Sequence, residues 1–143
     1  MLLRADNLTK SFGDTRAVDR VSFALDAGET LALIGHSGCG KTTTLKMLNR
    51  LIEPDEGSVM LGGVDAFGMP GHAWRRRIGF VMQHAGLFPH MTVAENVLVT
   101  PALLGWDDDR QQSKLNTLLD MVGLPAADYA GRYPAELSGG QRQ

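Results

Sequence analysis

The nine residues GHSGCGKTT, Gly35 to Thr43, constrain this chain more than any other stretch. They follow the apolar run TLALI, Thr30 to Ile34, whose unbroken hydrophobicity predicts a strand buried on both faces. They lead into a segment where Leu45, Leu48 and Ile52 recur at helical spacing, with Lys46, Asn49 and Arg50 between them. The nonamer matches G-x-x-x-x-G-K-[ST] at Gly35, Gly40, Lys41 and Thr42, at the strand-to-helix junction that such a loop requires. Glycines let backbone curl closely around an anion, and the first N–H groups of a helix point toward it. Gly35, His36, Ser37, Gly38, Cys39, Gly40, Lys41, Thr42 and Thr43 are therefore the candidate phosphate cradle. In it Lys41 can reach β- and γ-phosphates and the Thr42 hydroxyl can bind Mg²⁺. The competing reading is a glycine-rich turn with an incidental lysine, a coincidence expected in about one chain in a hundred of this length.

Around the loop the chain alternates strand and helix signals. Residues 2 to 8 and 18 to 25 read as strands, the second with Val21, Phe23 and Leu25 alternating with small or polar residues. Gly13-Asp14 and Ala27-Gly28 supply turns. A helix is expected from Lys41 to Ile52, then a short strand from Ser58 to Leu61, then a second apolar strand from Ile78 to Met82 that delivers Gln83 to its end. The remainder reads as helical. Thr92 and Glu95 form a capping-box pair, and Pro101 ends or kinks the helix that follows. Another helix runs from Asp107 to Val122 with Leu115, Leu118, Leu119 and Val122 on one face, acids at its positive end and Gly123 at its close.

Composition narrows the partners. The 143 residues, 43% hydrophobic and 21% charged, suit one globular domain, and a net charge of −2 gives no global attraction to nucleic acid or anionic lipid. Arg75, Arg76 and Arg77 beside Trp74 could suggest a nucleic-acid contact, but three charges before a strand read better as a solvated face. Cys39 is the only cysteine and the four histidines show no metal-ligand pairing, which fits a cytosolic setting. No apolar run is long enough to span a bilayer, and Arg4, Asp6 and Lys10 interrupt the N-terminal stretch where a signal peptide would be apolar. Met47, Met82, Met91 and Met121 read as core filling, and His36 as a solvated side chain.

A phosphate loop is shared by kinases, GTPases and many ATPases, so a second motif has to decide. LSGGQ, Leu137 to Gln141, supplies it. Ser138 and Gln141 have the spacing of a helix-opening capping box, and a mere helix start would explain both of them but not the conformationally costly pair Gly139-Gly140 between them. With KSFG around Phe12, FVMQ ending at Gln83, and LFPHMTVAENV, the chain resembles the ATP-binding cassette (ABC) family along its whole length.

That resemblance implies an α/β P-loop NTPase fold, the ABC-type nucleotide-binding domain, with an antiparallel β subdomain and a helical subdomain. Residues 1–83 would form the β subdomain and P-loop core, and 84–143 the helical subdomain ending in the signature motif. It implies ATP and Mg²⁺ as cofactors, with Lys41 and Gln83 in catalytic roles and Thr42 and Gln83 near the metal. Phe12 would stack on adenine and Val18 would flank it, whereas the plainer readings are a half-buried strand residue and, for Gln83, a solvated loop amide. Ser138, Gly139, Gly140 and Gln141 would contact the γ-phosphate held by an opposite subunit. The partners implied are a membrane-spanning permease subunit, a second nucleotide-binding subunit in a homodimer and, indirectly, a solute-binding protein, with no nucleic acid. The place implied is the cytoplasmic face of the cell membrane. Within the family, GCGKTTTLKMLNRLIEPDEG, GLFPHMTVAENV and LLGWDDD look most like importers of quaternary-ammonium osmoprotectants such as glycine betaine, choline or carnitine, with polar amino-acid importers as the alternative.

Members of the family continue past the signature into a Walker B strand with its aspartate, a catalytic glutamate and a switch histidine, and here no acidic residue follows Glu136. The resemblance therefore implies a chain truncated before the Walker B strand, able to bind nucleotide and not to hydrolyse it, with an apolar sheet edge left to find a partner. A non-hydrolytic nucleotide-binding or assembly module is the alternative to the importer ATPase.

Overall fold

The computed structural model describes residues 1–82 and 86–143, which fall into two compact units, Met1–Phe80 and Val81–Gln143. The first unit is built on a four-stranded antiparallel sheet. Its strands are β1 (Leu3–Phe12), β2 (Thr15–Leu25), β3 (Glu56–Leu61) and β4 (Val64–Asp65), in the order β2-β1-β3-β4. In β2 the alternation read from the sequence is the alternation seen, with Val21, Phe23 and Leu25 more covered than Ser22 and Ala24. β1 and β2 both run further toward their shared turn than residues 8 and 18, because Lys10, Ser11 and Phe12 pair with Val18, Arg16 and Thr15. Those positions are too polar to advertise a strand, and the hairpin register extends it through them.

β1 buries both Ala5 and Leu8, three residues apart, which strict alternation forbids. A bulge resolves the conflict. Asn7 takes φ +48 and donates its N–H to Ser22 Oγ at 2.7 Å, the pairing slips between Ala5 and Leu8, and both apolar side chains reach the same face. Asparagine tolerates that left-handed conformation better than most residues.

On this face lies the core of the first unit: Ala5, Leu8, Val18, Met47, Val59, Ala66 and Trp74. Met47 comes from α1 (Lys41–Leu48) and Trp74 from α2 (Gly71–Arg75). The Trp74 indole is fully buried and donates Nε1–H to the Leu48 carbonyl at 2.9 Å, satisfying one of the orphan acceptors at the end of α1. α1 is shorter than the Lys41-to-Ile52 helix expected, because the chain leaves helical geometry at Asn49 and Arg50 takes φ +51. Its buried positions are Thr44 and Met47, with Leu48 packed at the margin, so Leu45 faces outward at 46% exposure, contrary to its place in the expected apolar stripe. Arg50 then closes the corner, donating to the Ala66 and Met69 carbonyls at 2.6 and 2.7 Å with its guanidinium over the Phe67 ring.

Two expected strands do not form. Thr30–Ile34 and Ile78–Met82 are non-regular chain, with Ile34 92% and Val81 85% exposed. A strand is stabilised by a hydrogen-bonded neighbour as well as by apolar side chains, and among the described residues neither segment has a paired strand beside it. The apolar runs were legible; the pairing they need is not supplied by these residues.

The second unit is helical: α3 (Val93–Leu103), α4 (Asp108–Met121), α5 (Ala126–Tyr129) and α6 (Gly139–Arg142). α3 opens in the expected capping box, Thr92 Oγ1 accepting from Glu95 N at 3.2 Å and Glu95 Oε2 from Thr92 N at 2.6 Å. Pro101 neither starts the next loop nor stops α3 at once; it sits buried in the last turn, and the helix closes two residues later before Gly105 at φ +69. α4 is capped by Asp107, which accepts from Arg110 N at 2.8 Å. Leu115 and Leu119 of α4 join Val93 and Leu137 in a small core, with Leu118 half-covered. Val122 and Met121, expected on that face and in that core, are 66% and 72% exposed because the helix ends beneath them. Met82 is likewise half-exposed, so of the methionines singled out only Met47 is buried, with Met91 intermediate.

Candidate functional site

The phosphate-loop candidate is shaped by glycine. Gly38 and Gly40 take φ +82 and +90, a region where L side chains are strained. At Gly40 a methyl group would also overlap the Ala17 carbonyl oxygen and press on Val18 Cγ2 at 3.2 Å, so the glycine lets the loop rest on β2. Val18 is 5% exposed and backs the loop from the core side, which leaves little of its surface for a base. Its pairing partner Lys10 lies two residues before Phe12, whose ring is 51% exposed at the end of β1 with the Lys10 ammonium 5.8 Å from its centroid.

α1 differs from the other long helices at its positive end. α3 and α4 each have an oxygen-bearing cap and acids in the first turn, whereas α1 is preceded by Gly40 with no side-chain cap and has no acid in its first turn. The first backbone hydrogen bond inside it is Thr44 N to Gly40 O at 2.8 Å, and the N–H groups of the turn before have no acceptor within the helix. That end carries partial positive charge, to which Lys41 adds a full one. The Lys41 ammonium lies over the loop, donating to the Gly35 and His36 carbonyls at 2.8 and 2.7 Å and approaching Cys39 Sγ at 3.4 Å. Gly35, His36, Ser37, Gly38, Cys39 and Thr42 are exposed, and Thr43 is intermediate. His36 is solvated as expected, its Nδ1 2.9 Å from the Ser37 carbonyl oxygen.

For a metal this region offers the exposed Thr42 hydroxyl, and among the described residues no three His, Cys, Asp or Glu side chains gather anywhere. Such a donor set fits a hard cation that takes most of its oxygens from phosphate and water, the habit of Mg²⁺, and does not fit a protein-caged metal. Gln83 lies outside the described residues.

The signature stands in the second unit. Leu137 is buried and anchors it, while Ser138, Gly139 and Gly140 are exposed. The anticipated capping box is formed: Ser138 N donates to Gln141 Oε1 at 2.9 Å and Gln141 N to Ser138 Oγ at 3.3 Å. Neither glycine has positive φ, and a methyl group on either would meet nothing within 4 Å. Among the described residues nothing therefore requires glycine there, although the pair lowers helix stability by about 1 kcal/mol per residue relative to alanine. Residues whose presence the chain's own packing does not explain are suited to close approach by something outside it.

Two contributors had no sequence signal. The carbonyl of Ala17 fixes the space at Gly40, and only a register could have placed it there. The Tyr129 hydroxyl accepts from Gln141 Nε2 at 3.2 Å, linking two positions twelve residues apart. The arginine cluster is as expected a solvated face, and Trp74, which a nucleic-acid contact would need exposed, is in the core.

A loop of this glycine pattern leading into a helix beside an antiparallel sheet, with a glycine-paired capped turn after a helical segment, defines the nucleotide-binding domain of the ABC class. The chain belongs to the ABC transporter family, whose model matches residues 18–143. It is 46% identical over 99% of its length to the osmoprotectant import ATP-binding protein OsmV of Salmonella typhimurium, and 44% identical over 99% to the carnitine transport ATP-binding protein OpuCA of Listeria monocytogenes. It spans 38% and 36% of the lengths of these two relatives. An ATP-binding cassette solved as a dimer in a post-hydrolysis state with ADP and Pi superposes with a TM-score of 0.85 at 29% identity, over 99% of this chain and 65% of that one.

Proposed function

We propose that this chain is the ATP-binding part of an ABC importer's energy-coupling ATPase. The observation that carries the reading is the uncapped, acid-free start of α1 with Lys41 beside it, a positive end with no counter-charge of its own. In this reading the first-turn N–H groups and Lys41 take the β- and γ-phosphates, the lysine exchanging its loop carbonyls for phosphate oxygens. Mg²⁺ would be held by the Thr42 hydroxyl and by the nucleotide and would neutralise charge on the transferring phosphoryl group, while the role of Gln83, outside the described residues, rests on the family resemblance alone. Phe12 offers its exposed face to adenine, and the covered Val18 supports the loop from behind.

Ser138, Gly139, Gly140 and Gln141 present a side-chain-poor turn to ATP held by a second copy, which would account for glycines the chain's own packing does not require. The solved neighbour with ADP and Pi is described as dimeric, which supports a second nucleotide-binding subunit. The remaining partners are a membrane-spanning permease and, through it, a solute-binding protein, at the cytoplasmic face of the membrane. No described helix is long and apolar enough to cross a membrane, consistent with attachment through a partner. The solute is a quaternary-ammonium osmoprotectant, a reading supported by the two relatives above, which are named for osmoprotectant import and carnitine transport.

Uptake of labelled glycine betaine, carnitine and a polar amino acid by cells with and without the native subunit tests the reading. Loss of betaine or carnitine uptake alone is the expected result; loss of amino-acid uptake alone would contradict it.

A further inference from the structure

We propose that Tyr129 is a positioning residue for the signature turn, acting through Gln141 on the Ser138 hydroxyl. The inference rests on the reading of that turn as a contact for nucleotide held by a second copy. The hydrogen-bond chain fixes each atom's role. Ser138 N is a donor only, so the Gln141 oxygen must face it at 2.9 Å, and the Gln141 amide nitrogen is thereby turned to the Tyr129 hydroxyl at 3.2 Å. The return bond of the box, Gln141 N to Ser138 Oγ, is long at 3.3 Å. On an exposed turn, water competes for both, and a box held at one end by a long bond depends on how firmly the Gln141 side chain is held at the other.

Tyr129 is itself fixed. Its ring lies under the Arg132 guanidinium at 4.4 Å, and Arg132 Nε donates to the Asp128 carbonyl at 2.7 Å. The flanking backbone is tied to the first turn of α3: Val93 N donates to Arg132 O at 2.8 Å and Ala94 N to Ala130 O at 2.9 Å. Tyr129 also packs against the small core of Val93, Leu115, Leu119 and Leu137. Gln141 is thus clamped between a rigid hydroxyl and the Ser138 N–H. Ser138 Oγ accepts within the box, and among the described residues its own O–H donates to no partner, which leaves that hydrogen available to an acceptor from outside. Holding it there in advance avoids ordering the turn at the moment an anionic oxygen arrives.

The test uses steady-state ATP hydrolysis by the native subunit and four variants: Tyr129→Phe, Gln141→Ala, their double, and Ser138→Ala. Tyr129→Phe keeps the ring and removes one oxygen. We expect kcat to fall about threefold to tenfold with the KM for ATP unchanged, since one hydrogen bond is lost away from the phosphate loop. In the Gln141→Ala background the same change should have no further effect, which loss of packing alone would not produce. Wild-type turnover by Tyr129→Phe, or an equal loss in both backgrounds, overturns the inference while a slow Ser138→Ala leaves the signature reading standing. A Ser138→Ala variant with wild-type kcat overturns the signature reading and this inference together.

Discussion

Asp55 holds the end of β1 with both carboxylate oxygens, one on the Lys10 ammonium at 2.7 Å and the other on the Ser11 N–H at 2.7 Å. Its own N–H completes the clamp on the Thr9 carbonyl at 2.8 Å. The segment after α1 is thereby pinned to the strand that carries Phe12. The bonds from Lys10 and Ser11 pull the Asp55 carboxyl below its ordinary range, and the Thr92 N–H does the same to Glu95 at the start of α3. A carboxylate with a depressed folded pKa contributes stability that is present above its unfolded pKa and lost as pH falls through the folded one. Asp55→Asn and Glu95→Gln should each lower the urea midpoint at neutral pH, and the gap to wild type should close below roughly pH 4. Midpoint differences that persist unchanged into acid would contradict the assignment.

Glycine substitutions separate fold from function. Gly40→Ala places a methyl group against the Ala17 carbonyl at φ +90, and left-handed strain with overpacking should cost about 2–4 kcal/mol. Gly139→Ala and Gly140→Ala meet open space at ordinary φ, so each should leave stability unchanged or raise it by up to about 1 kcal/mol. In the native subunit the same two changes should lower ATP turnover. Thermal unfolding beside turnover checks the contrast, and a strongly destabilised Gly140→Ala would show that the pair serves this chain's own packing.

How much of this was legible depended on whether the signal was local. The Thr92 and Ser138 capping boxes were readable because both partners lie within one turn, and the Val21, Phe23, Leu25 alternation because it is a property of one strand. Thr30–Ile34 reads as a strand because its composition speaks of burial, but strand formation also needs a neighbour, and Leu31 and Ile34 are exposed instead. Leu45 lies off its expected face for a related reason: periodicity marks two possible faces on a helix of eight residues, and packing with Val18 and Trp74 selects the one bearing Met47. The tie between Tyr129 and Gln141 was invisible because nothing in a tyrosine's sequence context names the amide its hydroxyl will meet.

Trp74 links the loop helix to the core through Leu48 O, so Trp74→Phe should cost roughly 1–3 kcal/mol through the lost hydrogen bond and the smaller ring. Trp74→Ala should cost about 3–5 kcal/mol. Denaturation monitored by circular dichroism reads both, and a neutral Trp74→Phe would mean that the indole N–H adds nothing to the end of α1.

The Lys41 ammonium lies over the loop, on the Gly35 and His36 carbonyls. Lys41→Ala should weaken Mg·ATP binding to this chain by roughly 1.5–3 kcal/mol, the scale of a charge-assisted contact. Titration calorimetry gives the number, and equal affinity in wild type and variant would remove Lys41 from the site.

Cys39 reports most directly on the central claim that nucleotide sits on this loop. It is the chain's only thiol, it is exposed, and it lies 3.4 Å from the Lys41 ammonium that would turn to phosphate. Maleimide labelling followed by mass spectrometry should be rapid in the absence of nucleotide. It should slow in proportion to site occupancy as Mg·ATP is added, since phosphates on the loop cover the sulfur, and Lys41→Ala should shift that protection to higher nucleotide concentration. A labelling rate that stays constant across the Mg·ATP titration would contradict nucleotide binding at Gly35 to Thr43.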